Sequence, residues 1–190
     1  HDSGNGTVKT MKTSINKQTI LLTGATGYIG RRLKHKLLES SDIRLKLLVR
    51  HANSLGDNVR ENTEIIEGST FDQDVLEKAM QDVDVAYYLI HSLGQDDYAE
   101  LDRKSAKNFR EAAIKAGVKK IIYLGGLGVV NQDTSEHLLS RIETGEILSE
   151  KPKDIDVIWF RAGVIIGSGS ASFEIIRNLI QKLPVMITPK

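Results

Sequence analysis

Apolar residues along the chain alternate between short unbroken runs and longer periodic stretches. The runs are TILLT (19–23), RLKLLVR (44–50), TEIIEG (63–68), VDVAYYLI (83–90), KKIIYLGG (119–126) and DVIWFRAG (156–163). Runs of this length, rich in Ile, Leu and Val, read as strands buried on both faces. Between the first two, Ile29, Leu33 and Leu37 recur every four residues among Arg31, Arg32, Lys34, His35 and Lys36, which is an amphipathic helix. Residues 74–83 place Leu76, Ala79, Met80 and Val83 on one helical side. A further helix is expected from about Asp97 to Ala116, with Gly117 as its C-terminal cap, and another from about Thr134 to Ser149. Strand and helix alternate throughout. That pattern predicts a doubly wound parallel sheet with right-handed crossovers, in three α/β/α layers.

Composition narrows the class without changing the fold. The chain has 190 residues, 40% hydrophobic and 27% charged, the balance of a single domain with one good core. A net charge of +1 gives no bulk attraction to nucleic acid or to an anionic membrane, so neither is expected as a partner. No apolar stretch nears the roughly 20 residues that span a bilayer. Cysteine is absent, which excludes disulfides and thiolate metal sites and fits a cytoplasmic location. His1, His35, His51, His91 and His137 show no metal-ligand spacing, so no metal is expected. Residues 1–17 are polar and aperiodic and lack the apolar centre of a signal peptide. They read as a leader, with the folded domain expected over 18–190.

The chemistry concentrates in LLTGATGYIG (21–30). Glycine costs backbone entropy, so Gly24, Gly27 and Gly30 need a reason. Strand, glycine turn and helix in sequence form the opening of a βαβ unit, the context in which such spacing signals dinucleotide binding. Gly24 then permits the tight turn, Gly27 the approach of a pyrophosphate, and Gly30 close helix packing. The helix N-terminus offers free N–H groups to the phosphates. Thr23, Thr26, Tyr28 and Ile29 belong to the same loop and are expected in the cofactor site, with Tyr28 shielding the pyrophosphate. Neither a nucleophile elbow nor a P-loop lysine is present, which argues against hydrolase and phosphotransfer chemistry.

The spacing T-G-x-x-G-x-x-G resembles the extended and atypical branches of the short-chain dehydrogenase/reductase superfamily. AGVKKIIYLGGLG (116–128) is similar to that group's fifth-strand segment. VIWFRAGVIIGSGS (157–170) is similar to its RPG-x-x-x-G-x-G segment, with Ala162 where proline is usual. AYYLIHSLG (86–94) and LPVMITP (183–189) look like a subgroup described as NmrA-like or nucleotide-sugar-epimerase-like. The resemblance implies a Rossmann fold. It also implies a chain that continues into substrate-binding elements beyond those read here.

An NAD site wants an acid at the end of the second strand. This chain has VRHANS there, with Arg50 lying 20 residues after Gly30. Together with Arg31 and Arg32, that favours the 2′-phosphate of NADP, with NAD as the alternative. After the third strand, Ser69 and Asp72 are expected near the adenine; Asp72 is read equally as a helix cap. Leu89, Ile90 and His91 are expected along the ribose and nicotinamide, with His91 a weaker candidate for proton transfer.

The superfamily's Ser, Tyr and Lys are missing: Gly125 and Gly126 stand where a hydroxyl is expected, and no Tyr-x-x-x-Lys follows. His137 lies 12 residues beyond Gly125, with Arg141 four residues further on the same helical face. They are the candidate replacements, His137 for proton transfer and Arg141 for holding the ribose. The reading is therefore an NADP-dependent oxidoreductase or epimerase-like enzyme for a small, unidentified carbonyl or hydroxyl substrate. The alternative is a non-catalytic NAD(P)-binding sensor or assembly factor. Oligomeric state is not legible.

Overall fold

Each apolar run forms a strand and each periodic stretch a helix. The computed structural model describes residues 17–55, 59, 63–92, 97–132 and 134–182; the leader up to residue 16 and the segment LPVMITP lie outside them. The elements are β1 (Gln18–Thr23), α1 (Tyr28–Glu39), β2 (Ile43–Val49), a short 3-10 turn (Ala52–Leu55), β3 (Glu64–Glu67), α2 (Gln73–Met80), β4 (Val85–Tyr88), α3 (Tyr98–Lys115), β5 (Lys120–Gly126), α4 (Glu136–Ser149), β6 (Asp156–Ala162) and α5 (Ala171–Lys182). The strands make one six-stranded sheet in the order β3-β2-β1-β4-β5-β6, and all its pairings are parallel. The chain winds outward from β1 in one direction and outward from β4 in the other. The switch between β1 and β4 opens a crevice at the carboxyl ends of the strands. Among the described residues no helix is long and apolar enough to cross a membrane.

Two apolar clusters hold the layers. On one face Leu21, Leu76, Met80, Tyr88, Phe109 and Ile121 pack together, with the Tyr88 and Phe109 rings edge-on at 4.9 Å. On the other, Leu33, Leu37 and Leu38 of α1 cover Ile20, Leu22, Leu45 and Leu47. Coverage is uneven at the β6 edge, where Ile158 is 38% and Phe160 57% exposed. The continuous apolar run in β6 had implied burial on both faces; an edge position leaves one of them open. The helix α5 was not foreseen, because the glycines before it obscure its period. The helix expected over 74–83 stops at Met80, although Val83 is still buried.

Some charges are buried with the core, and each is met by backbone or carboxylate. Lys46, in mid-strand, is only 3% exposed. Its Nζ donates to the carbonyls of Gln81 (3.0 Å) and Lys78 (3.4 Å), the unpaired acceptors at the end of α2. Glu64 lies 3.6 Å away. Lys34, placed on the polar side of α1 by its sequence, is instead buried, and donates to the Leu55 carbonyl at 3.2 Å. Burial, reinforced by Arg31, lowers its pKa. Arg110 ties α3 to α4 by donating to the Ile147 carbonyl and to Glu150.

Lys46→Ala removes the donor from both carbonyls and leaves a void. It should lower stability in a urea titration by about 2–3 kcal/mol. Arg44→Ala breaks an exposed ion pair to the same Glu64 and should change stability by less than about 0.5 kcal/mol.

Candidate cofactor and active site

The crevice is built outward from the end of β1. Thr23 Oγ1 donates to the Tyr87 carbonyl (2.8 Å) and accepts from the Leu89 amide (3.2 Å), so it stitches β1 to β4 at the switch. Gly24 follows with φ +70°, and a Cβ there would lie 2.3 Å from the Leu89 oxygen. The Gly27 amide donates to the Gly24 carbonyl at 3.0 Å, and helical bonding starts with Arg31 N donating to Gly27 O. The amides of Tyr28, Ile29 and Gly30 thus have no acceptor within the helix. A Cβ on Gly30 would sit 2.0 Å from the Gly24 oxygen, whereas one on Gly27 would meet nothing nearer than that oxygen at 3.3 Å. The fold itself therefore demands Gly24 and Gly30. At Gly27 the constraint is milder, a tight contact with that one oxygen, and the remaining side of the position opens on the crevice.

That crevice is a cavity of about 580 Å³, large enough for a cofactor. Thr23, Gly24, Thr26, Gly27, Tyr28, Ile29, Gly30, Arg50, Leu89, Ile90, His91 and Arg141 all line it. Ser69 and Asp72 do not. Ser69 Oγ accepts from the Phe71 amide at 3.2 Å. Asp72 Oδ1 accepts from the amides of Asp74 (3.0 Å) and Val75 (3.2 Å), as the N-cap of α2. Both side chains are taken up by their own turn, and Thr70 and Phe71 line the wall instead. The cap position before a helix was the available signal for Asp72; the segment EGSTFD (67–72) as a whole is expected near the adenine, and within it Thr70 and Phe71 are the residues that reach the wall.

The expected arginine fork also changes. The Arg32 guanidinium stacks 3.7 Å over the Tyr28 ring and donates to the carbonyls of Tyr28 (3.3 Å) and Ser168 (3.1 Å). It braces α1 against the β6–α5 connection. Tyr28 reaches the same connection, where a Cβ on Gly167 would lie 2.2 Å from its hydroxyl oxygen. Of the three arginines, Arg50 is the one on the cavity wall.

At the β5 end the hydroxyl position is filled. A Cβ on Gly125 would lie 2.3 Å from Trp159 Nε1, and one on Gly126 would lie 2.5 Å from Leu138 Cδ1. A serine at Gly125 would require the indole to move. Arg141 is anchored, its Nη2 donating to the Leu124 carbonyl at 2.6 Å. Tyr123 Oη donates to the Arg141 carbonyl at 2.8 Å, and burial pushes that phenol up to about 12. His91 lies on the wall. The His137 ring stands nearly perpendicular to it, with centroids 5.9 Å apart, but His137 is exposed and is not among the residues that line the cavity. Burial lowers the pKa of His91, and Arg141 and His137 lower it further. Burial and Arg141 do the same to His137. Both imidazoles are therefore neutral at pH 7, beside a fixed guanidinium. Asp102, lining the same cavity, was not singled out in the sequence; it opposes both shifts.

A family model described as NAD(P)H-binding matches residues 24–159. The chain is 26% identical over 191 residues to the UDP-glucose 4-epimerase of Vibrio cholerae, across 87% of this chain and 57% of that protein. Its fold matches the NADPH-dependent quinone oxidoreductase of Escherichia coli solved with NADPH, with a TM-score of 0.59, 26% identity, and coverage of 75% of this chain and 48% of that one. It also matches the UDP-glucuronic acid 4-epimerase of Bacillus cereus solved with NAD, with a TM-score of 0.66 at 21% identity, over 79% of this chain and 58% of that one; this last likeness concerns the fold. The chain spans about half the length of each of these proteins.

The glycine geometry separates two effects. Gly27→Val should keep the thermal melt and abolish binding of a dinucleotide in calorimetry. Gly30→Ala drives a methyl into a backbone oxygen and should lower stability by about 1–3 kcal/mol or more, the scale of overpacking.

Proposed function

The chain belongs to this NAD(P)H-binding family, with a doubly wound Rossmann fold of the short-chain dehydrogenase/reductase and epimerase kind, and on that premise we propose that it is an NADP-dependent oxidoreductase or epimerase-like enzyme acting on a small carbonyl or hydroxyl substrate. The observation that carries the proposal is the convergence on one cavity of Gly27, the first-turn amides of α1, Arg50, His91 and Arg141, with the His137 ring 5.9 Å from that of His91. The residues present fit the cofactor, because the only atom crowding a side chain at Gly27 is the Gly24 oxygen and the cavity side is open.

In this reading the amides of Tyr28 to Gly30 receive the pyrophosphate. Arg50 faces the 2′-phosphate as a charged donor. Leu89 and Ile90 line the path toward the β4 end, and Arg141, held by the Leu124 carbonyl, lies beside the ribose. The nicotinamide, when bound, supplies or accepts the hydride. His137 moves the proton at the substrate oxygen, with His91 on the cavity wall beside it. Because both rings are neutral at pH 7, they serve as bases in the oxidation direction. They must first be protonated to act as acids in carbonyl reduction.

A second reading is favoured by the filled hydroxyl position. With Trp159 and Leu138 occupying the space beside Gly125 and Gly126, the chain would be an NAD(P)-binding sensor without turnover. Loss of NADPH absorbance against a panel of carbonyl substrates discriminates the two, since a sensor binds NADPH and consumes none.

Arg50→Ala should weaken NADPH by about 1.5–3 kcal/mol in calorimetry, the scale of a hydrogen bond to a charged group, and leave NADH nearly unchanged. Equal weakening of both would make Arg50 a surface charge. The pH profile has a definite sign. Since the pKa of His137 is lowered from 6.5, carbonyl reduction should accelerate as pH falls through a midpoint below that value, and the reverse oxidation should slow. His137→Ala should lower turnover by roughly 10²–10⁴ and remove the dependence, with NADPH affinity intact.

A further inference from the structure

Asp102 is a carboxylate only 5% exposed, in the second turn of α3, where it borders the cavity. Burying a carboxylate is costly unless its oxygens are satisfied. Here each oxygen has its own donor. Oδ1 accepts from the Ser92 amide at 2.7 Å, and Oδ2 accepts from Ser140 Oγ at 3.0 Å. Among the described residues no lysine or arginine forms an ion pair with it. The two donors are informative by position. Ser92 directly follows His91, and Ser140 lies between His137 and Arg141 on α4. One buried side chain therefore joins the two segments that carry the two imidazoles.

We propose that Asp102 is the positioning residue of this site: by tying the β4 exit to α4 it sets where His91 and His137 stand, and it supplies the negative charge that balances Arg141 beside them. This rests on the reading that these histidines handle the substrate proton. The other groups around the pair are Arg141 and Glu136 of α4, Tyr98 of α3, whose hydroxyl donates to Glu136 at 3.4 Å, and Tyr123 of β5. The Tyr98–Glu136 pair is exposed and screened by solvent. Tyr123 is uncharged across the histidine range, its phenol being pushed up to about 12. Arg141 and Asp102 are thus the opposed fixed charges that act on the imidazoles. Arg141 disfavours their protonation and Asp102 favours it.

Two variants test the two parts of the role. Asp102→Asn keeps the shape: its amide oxygen accepts from Ser92, and its NH₂ donates to Ser140. It removes only the charge. Ser140→Ala keeps the charge and cuts the tie to α4. The ring signals of His91 and His137 are titrated by NMR in the chain without cofactor, and kcat and KM are measured against pH. In Asp102→Asn both midpoints should move down by at least about 0.5 pH unit, because a nearby negative charge has been lost, and the kcat profile should move with them. In Ser140→Ala the midpoints should hold while kcat falls roughly 10-fold or more from misplacement, with KM for NADPH unchanged. Unmoved histidine midpoints in a folded Asp102→Asn protein overturn the proposal. If that variant does not fold, Ser140→Ala decides, and an unchanged kcat overturns it. The underlying reading fails separately: full turnover in His137→Ala would remove the histidine from the chemistry, while the effect of Asp102 on the His91 titration would still be measured.

Discussion

A single carbonyl oxygen, that of Gly24, governs how α1 meets the sheet. It accepts the Gly27 amide at 3.0 Å and leaves no room for a side chain on Gly30, whose Cβ would come within 2.0 Å. Gly24 in turn lies so close to Leu89 that its own side chain is excluded, and Thr23 bonds across the same gap to Tyr87 and Leu89. Three chain segments therefore converge at the switch point with backbone against backbone. The cavity, the free amides of α1 and the placement of β4's exit all follow from that closeness. Gly27 is the less constrained of the three, since a Cβ there would meet only the Gly24 oxygen, at 3.3 Å, and would otherwise face the cavity.

The buried charges divide by what they face. Lys46 and Arg110 meet carbonyls at helix ends, and Lys34 meets a loop carbonyl. They stand away from the cavity, where a buried cation is tolerable because backbone oxygens replace water. Asp102 satisfies the same rule with an amide and a hydroxyl, but it does so at the cavity wall. Its neighbours are groups that titrate. A charge held in a poorly solvated place acts more strongly on such neighbours than one in open water, so a positioning element at this spot also becomes an electrostatic one.

The side chains around the cavity differ from the Ser–Tyr–Lys set that the resemblance suggests. Trp159 and Leu138 take the space beside Gly125 and Gly126. Tyr123, at the β5 end of the cavity, spends its hydroxyl on the Arg141 carbonyl. What lines the cavity there is the His91 imidazole, with the exposed His137 ring 5.9 Å from it, a guanidinium anchored to β5, and a buried carboxylate. Burial and Arg141 both act to keep the imidazoles neutral.

Much of this was legible in the chain. Apolar runs and four-residue periods determined the order of strands and helices, because burial repeats at fixed spacing in each element. The glycine spacing marked the dinucleotide loop, because only glycine permits such approach of backbone to backbone and to ligand. The residues lining the cavity from Thr23 to Gly30, with Arg50, Leu89, Ile90 and His91, follow once strand ends are known to face the crevice. Other assignments needed the folded chain. Lys34 looked like a surface residue and is buried, Arg32 braces a distant loop instead of meeting phosphate, and Asp72 caps its helix. Ser69 turns inward to its own loop. Asp102 is one carboxylate among many in a charged helix until packing brings Ser92 and Ser140 to it. Local spacing determines which element a residue joins. Which partner a polar side chain finds depends on segments tens of residues away, and only tertiary packing decides that.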